Sequence, residues 1–356
     1  MTARTVAASF GIAVGLALAG ASPASADTIN LKIASGHPPG VHYVDMLHEW
    51  FIPELKSRAK AKGHDVSVNE LFAGSVVKLS ETLEGVQQGI VDIGGMCYCF
   101  EPSDLMLHAF QVWLPFGTSD PVLSVKIARE VYGQTPELAN VFPDKWNQKL
   151  LGLFSQDPYD LHAKFEIAKV EDVRGKKVGG AGPNLPWVGI AGGIVVQTTG
   201  ATVYTSLQTG VFDGVISFVS ISQGVKLYEL AKYYTKVGFG SITFHGIQIN
   251  NKSFASLPPD MQQILVGLGK EFEERSGAYV NARVERGFES MKKEGLIVSE
   301  LPAAEKAKWG ELLKDWPNEK AKEADAKGLP GSKTLKLTLD TAEKMGYKWP
   351  NRYVIK

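Results

Sequence analysis

The sequence predicts an α/β protein of two similar lobes, and three observations predict it. Strand-like and helix-like segments alternate twice, once from Ile29 and again from about Leu150. The two series share an echo: Leu83-Glu84-Gly85-Val86-Gln87-Gln88-Gly89-Ile90-Val91-Asp92-Ile93-Gly94 in the first, Tyr204 to Gly214 in the second. In both, a Gln-x-Gly stop passes into a short apolar run with Asp at its third residue. Finally, the chain has 356 residues, more than the ~250–300 at which one hydrophobic core stops growing.

The elements follow in order. Met1 to Ala26 carries one early charge at Arg4, an apolar run from Phe10 to Leu18 and the small-residue exit Ala24-Ser25-Ala26, the pattern of a secretory signal peptide. That run is too short to span a ~30 Å bilayer. The expectation is an exported, soluble protein. Ile29 to Ala34 reads as a strand that ends in the turn Ser35-Gly36-His37-Pro38-Pro39-Gly40. A helix follows over 41–62, with Met46, Leu47, Trp50, Phe51, Leu55 and Ala59 at helical spacing and Pro53 as a kink. Val66 to Phe72 alternates as a strand, a helix covers about Leu79 to Gln88, and Ile90 to Gly94 is a third strand, which implies a parallel sheet with crossover helices.

In the second series, Leu150 to Phe154, Tyr159 to His162 and Lys176 to Gly180 read as strands, and Gly182-Pro183-Asn184 opens a helical segment. Leu257-Pro258-Pro259-Asp260 is a helix start, and the periodic run from Met261 to Lys293 is ~50 Å long at helical rise, enough to touch both lobes. A strand-like Leu296-Ile297-Val298, a charged helix over 303–327 and a last helix after Gly331 complete the chain.

Charge and motifs narrow the chemistry. Lys and Arg number 38 against 38 Asp and Glu, so no general field draws nucleic acid or anionic lipid. The only cysteines, Cys97 and Cys99, are one residue apart; pairing them would close a very small strained ring, so they read as two small side chains at a strand end, not a disulfide framework. No metal-ligand spacing, nucleophile elbow, zinc-protease motif, phosphate loop or dinucleotide glycine fingerprint is present. Seven scattered histidines lack a visible catalytic partner. The expectation is no catalytic residue, no metal and no cofactor.

Ligands of parallel α/β lobes sit beyond the carboxyl ends of strands, and two facing lobes put those ends around one cleft. His37, Phe72, Gly74, Tyr98, Phe100, Gln156, Gly179, Asn184, Ser217 and Phe218 are therefore candidate ligand-binding residues, with Tyr43 nearby. Trp187, three residues beyond Asn184, is the leading aromatic candidate from the second lobe.

From Leu31 to about Gly295 the chain resembles the periplasmic substrate-binding subunit of TRAP (tripartite ATP-independent periplasmic) transporters. The resemblance is carried by Ala34 to Gly40, Leu83 to Gly94, Leu114-Pro115-Phe116-Gly117-Thr118-Ser119-Asp120-Pro121, Val170 to Val178, Val203 to Gly214 and Leu257-Pro258-Pro259. It implies a two-lobe periplasmic binding protein (venus flytrap) with a long bridging helix. Lobe I would be 27–149 plus 239–256 and lobe II 150–238 plus 295–356, with the bridge over 257–294. It also implies a monomer that delivers a small organic solute to small and large integral membrane subunits. Most such receptors grip a carboxylate with an arginine at the end of a lobe II strand; here Gly179 stands at that position and Arg174 lies on the preceding turn. The ligand is accordingly expected to be neutral, zwitterionic or aromatic, or to be held by backbone amides over 179–184. The alternatives are a secreted α/β enzyme using Cys97 or a histidine, and a receptor that feeds a sensor kinase.

Overall fold

The structure, a computed structural model, describes residues 1–3, 5 and 28–356. The expected signal peptide thus falls almost wholly outside the described residues.

Among the described residues, eleven strands form two sheets. They are β1 Ile29–Ser35, β2 Val66–Leu71, β3 Ile93–Cys97, β4 Gln148–Ser155, β5 Tyr159–Ala163, β6 Lys177–Gly180, β7 Ile194–Gln197, β8 Gly214–Ser217, β9 Tyr233–Gly240, β10 Thr243–Asn250 and β11 Ile297–Glu300. The first sheet has the order β2-β1-β3-β10-β4 and the second β11-β9-β5-β8-β6-β7. Neither is purely parallel, contrary to expectation: β10 runs antiparallel to β3 and β4, and β5 antiparallel to β8 and β9. The reason is that β4 and β5, and likewise β9 and β10, are consecutive strands placed in different sheets, so the chain passes between lobes twice without a helical crossover.

These passages shift two expected boundaries. β4, assigned by the sequence to the second lobe, pairs with β10 at the edge of the first sheet, so the crossing lies at Gln156-Asp157-Pro158. The C-terminal segment also does not stay with the second lobe. Helix Gly331–Lys344 packs on helix Pro121–Gln134 and on Met106–Gln111, and Tyr347 and Tyr353 donate to the carbonyls of Phe116 (2.6 Å) and Pro115 (3.0 Å).

Local chemistry explains the other departures. The helix over 42–61 is continuous, but its irregularity is a π-type turn at Leu47–Phe51, with Pro53 in the first turn of the following α-segment, where its missing N–H costs little. Both echoed runs enter their sheets about three residues later than expected, β3 at Ile93 and β8 at Gly214. Asp92 and Asp213 sit just before the strands, where their backbone N–H groups donate to Lys32 and Lys177. The charged segment over 303–327 is two helices, Ala303–Leu312 and Trp316–Ala326.

The long helix spans Pro259–Lys293 and packs on β4 and helix Pro121–Gln134 of the first lobe and on helix Val219–Gly224 of the second. It lies directly on β4: a Cβ at Gly152 would come 2.2 Å from the Gly269 carbonyl oxygen, and one at Gly269 would come 2.3 Å from that of Leu151. Only hydrogen at both positions allows that approach.

Candidate functional site

Between the sheets, at the carboxyl ends of β1, β3, β6, β7 and β8, lies a cavity that opens to solvent. The first lobe supplies His37 and Val41 after β1, Cys97, Cys99 and Phe100 at the end of β3, and His245 from β10. The crossing segment supplies Gln156 and Tyr159. The second lobe supplies Gly180 and Ala181 after β6, Thr198 to Gly200 after β7, and Val215 to Phe218 with Val203 and Ile221. Strand ends converge there because each β-to-α turn leaves its sheet on the side facing the other lobe.

Aromatic rings form the two walls. Phe100 packs edge-on against His37 with centroids 5.6 Å apart, and across the cavity Tyr159 packs edge-on against Phe218 at 5.0 Å. His37 is fixed from behind: its Nδ1 lies 2.8 Å from Tyr43 Oη, which lies 2.7 Å from Ser35 Oγ. Burial pulls the imidazoles of His37 and His245 down, to about 4 and about 3, so both are neutral at pH 7. Ser217 heads a directed chain. His162 Nε2 donates to the Ala231 carbonyl (2.9 Å), so its Nδ1 accepts from Ser222 Oγ (3.0 Å), and Ser222 in turn accepts from Ser217 Oγ (3.0 Å).

Gln156 differs from all of these. Its side chain is fully buried, yet neither Oε1 nor Nε2 has a hydrogen-bond partner in the protein. Its backbone is fully committed, with N donating to Ile242 O at 3.0 Å and O accepting from Ser241 Oγ. His245 Nδ1 is likewise buried without a partner. Among the described residues lining the cavity there is no Lys, Arg, Asp or Glu. Beyond Phe100 and Ala181 the space opens into a wider chamber, where Lys320, Glu323 and Lys327 appear.

Of the residues singled out from the sequence, the structure brings His37, Phe100, Gln156, Ser217 and Phe218 together around the cavity. Others stand elsewhere. Trp187 is fully buried in the core, its Nε1 donating to Val112 O (3.1 Å) and its carbonyl accepting from Trp309 Nε1 (2.7 Å), so it does not reach the cavity wall. Tyr98 lies in the core, where its Oη accepts from Gln248 Nε2 and its ring packs on His108 and Phe142. Phe72 and Gly74 flank the turn whose amides, Ala73 N and Gly74 N, donate to the carbonyls of His37 and Ser35. Asn184 Oδ1 accepts from Ala181 N (3.1 Å) and closes the turn after β6. Gly179 stands behind Gly180, and a Cβ there would lie 2.8 Å from the buried Phe212 ring.

Cys97 and Cys99 correct a second expectation: the two are joined by a disulfide, made possible because the chain leaves β3 into a tight 3₁₀ turn over 98–100. Sequence reasoning missed Tyr159, Thr198, Thr199 and His245 as cavity residues. For the threonines a signal existed, since Ile194-Val195-Val196-Gln197 is a β-branched run bounded by glycines and by Thr198-Thr199-Gly200. Among the described residues no cluster of three His, Cys, Asp or Glu side chains is placed to hold a metal, and no helix is long and apolar enough to cross a membrane.

Residues 54–323 match the model of the DctP family, bacterial extracellular solute-binding protein, family 7. A solute-binding protein of Sulfitobacter sp. (strain NAS-14.1) is 29% identical over 143 residues, a match that spans 38% of this chain and only 40% of that protein. Among solved structures, a TRAP periplasmic solute binding protein from Desulfovibrio salexigens DSM2638 superposes with a TM-score of 0.78 at 22% identity, covering 89% of this chain and 97% of that one. A TRAP solute binding protein from Rhodoferax ferrireducens T118, in complex with copurified benzoate, gives a TM-score of 0.78 at 18% identity over 89% and 98%. At such identities the structural likeness establishes the two-lobe fold.

Proposed function

Because this chain belongs to family 7 of the bacterial extracellular solute-binding proteins, we propose that it is a periplasmic receptor that takes up one small organic solute in the cavity between its sheets and delivers it to TRAP membrane subunits. The observation that carries this reading is Gln156, fully buried at the crossing between the lobes with both ends of its amide unpartnered. Leaving a buried amide unpaired costs ~1–3 kcal/mol, and a ligand that pairs with it recovers that cost.

The mechanism follows from which lobe each wall belongs to. His37, Phe100 and His245 come from the first lobe, Thr198, Ser217 and Phe218 from the second. A solute touching both walls makes its full set of contacts only when the lobes are closed, so it stabilises the closed state and not the open one. The crossings at 156–158 and 241–242 are the natural hinge. They are cross-bonded by Ser155 Oγ and Ser241 Oγ at 2.9 Å, and Ser124 Oγ donates to Ser241 O at 2.8 Å.

The grip does not rest on an arginine at position 179, where Phe212 fills the space a side chain would need. An enzymatic reading has little to stand on, since Cys97 is bonded to Cys99 and the cavity histidines face no carboxylate within it. The test is to denature the purified protein, identify the released small molecules by mass spectrometry, and add them back to stripped protein. One organic species that rebinds unchanged with one-to-one stoichiometry is expected. Catalytic turnover of that species would overturn the reading.

A further inference from the structure

Resting on the solute-receptor reading, we propose that the ligand is an uncharged ring compound that presents a carboxamide or lactam edge to Gln156. Three features point to it. First, Gln156, buried in the cavity lining, carries a hydrogen-bond acceptor and a donor side by side in one plane, and neither is used by the protein. The complement of that edge is another planar group with a donor beside an acceptor, and a primary amide or cis lactam is such a group. A carboxylate offers acceptors only, so it would place an oxygen against Gln156 Oε1 with no proton between them.

Second, the cavity holds no countercharge. None of its described lining residues is Lys, Arg, Asp or Glu, and His37 and His245 are both held neutral by burial. A carboxylate held between these walls would lose its hydration without gaining an ion pair, since Lys320 and Lys327 stand in the wider chamber beyond Phe100 and Ala181, and a zwitterion would do so twice. Between these walls an anion would be rescued by protonation of His245 or His37. That route has a signature, because anion binding would then strengthen as pH falls.

Third, the walls suit a flat body. Phe100 with His37 on one side and Tyr159 with Phe218 on the other are edge-to-face aromatic pairs that bracket the cavity from opposite lobes. A ring between them is contacted by both lobes, while its amide edge reaches the crossing segment. A flexible diol could pair with Gln156 as well, but it would give up rotor freedom and leave the aromatic faces unfilled.

The experiment is calorimetric titration of stripped protein with matched pairs at pH 7: benzamide against benzoate, nicotinamide against nicotinate, and 2-pyrrolidone against a simple diol. The expected result is that the carboxamide or lactam binds more tightly in each pair, by about tenfold or more, the scale of two neutral hydrogen bonds. Its affinity should be flat between about pH 6 and 8, since no group titrates on binding. Gln156→Leu should remove that preference while binding of the ring itself persists, and Gln156→Asn, which keeps the amide on a shorter stem, should retain the sign of the preference. Tighter binding of the carboxylates, growing as pH falls, overturns the proposal and assigns a protonated histidine as the anchor. Tighter binding of the diol, or binding of no amide at all, also overturns it. In these cases the receptor reading stands if a copurified solute rebinds unchanged, and falls if none rebinds or if it is turned over.

Discussion

Gln156 and Asp157 are neighbours at the crossing between the lobes, both fully buried, and they are used in opposite ways. Asp157 is committed to the protein. Its Oδ2 accepts from Ser220 N of the second lobe at 2.8 Å, and its Oδ1 lies 2.7 Å from His42 Nδ1 of the first. The latter contact is short but falls outside the alignment of a linear hydrogen bond, and its distance makes it an ion pair when His42 is protonated. One residue earlier, Gln156 lines the cavity and its amide has no protein partner. The difference teaches that burial alone does not mark a ligand-facing group; the accounting of partners does.

Four measurements would break or sharpen that contrast. The largest effect is collective and concerns three buried histidines and the half-buried His37. His37, His108, His162 and His245 are pulled down by burial to between about 3 and about 4, below their unfolded value of 6.5, so the native state binds fewer protons than the unfolded chain. The stability they represent is present above pH 6.5 and lost as pH falls. Asp160 acts in the opposite sense: burial raises it to about 7 from 3.8, so its contribution is present at low pH and lost as pH rises through 7. Glu101, raised by burial to about 7, and Glu273, also raised by burial, act in the same sense as Asp160. With four histidines against these three carboxyls, the thermal midpoint of unliganded protein should drop from pH 6.5 to 4. A flat profile would show that these rings are hydrated in the native state.

Asp157→Ala comes next. It leaves Ser220 N and His42 without their buried partner, and the expected loss is about 3–5 kcal/mol in a denaturant titration. Gln156→Leu is smaller and of opposite sign. It replaces an unpartnered buried amide with a side chain of similar volume, so unliganded protein should be as stable as wild type or gain ~1 kcal/mol, while solute binding weakens. A loss comparable to that of Asp157→Ala would show that the protein itself uses the amide. The smallest effect belongs to a pair that is paired but exposed. Lys314 and Glu311 meet at 2.7 Å on the surface, and Lys314→Ala should leave the thermal midpoint unchanged within error.

How much of this was legible in the sequence follows from which interactions are local. β1, β2 and the long helix are written in periodicity, and their bounds lie close to those expected. The place of β10 in lobe I was expected from the family resemblance, which put 239–256 there; its residues alone do not show it, because that place is set by pairing with β3 and β4, far away in sequence. Pairing also sets the place of β4, whose apolar run fits either sheet.

At the site, strand-end reasoning reached His37, Phe100, Gln156, Ser217 and Phe218, since these leave their strands toward the facing lobe. It failed for Trp187 because the side of a turn that faces a cleft depends on what packs behind it. Here Val112 and Phe239 capture the indole, and Trp309 donates to the Trp187 carbonyl. Tyr98 fails for the same reason, one residue past a strand whose alternation turns it toward His108. Gly179 is informative in a different way: its missing side chain is a packing requirement of Phe212, a residue the sequence does not place beside it.

The central claim is that one solute bridges both lobes and holds them shut. Small-angle X-ray scattering on stripped protein, before and after adding back the copurified solute, tests it most directly. The account predicts a smaller radius of gyration at saturation, and the same change in Gln156→Leu protein only at a higher solute concentration. Saturating binding to wild type with an unchanged radius of gyration would contradict it.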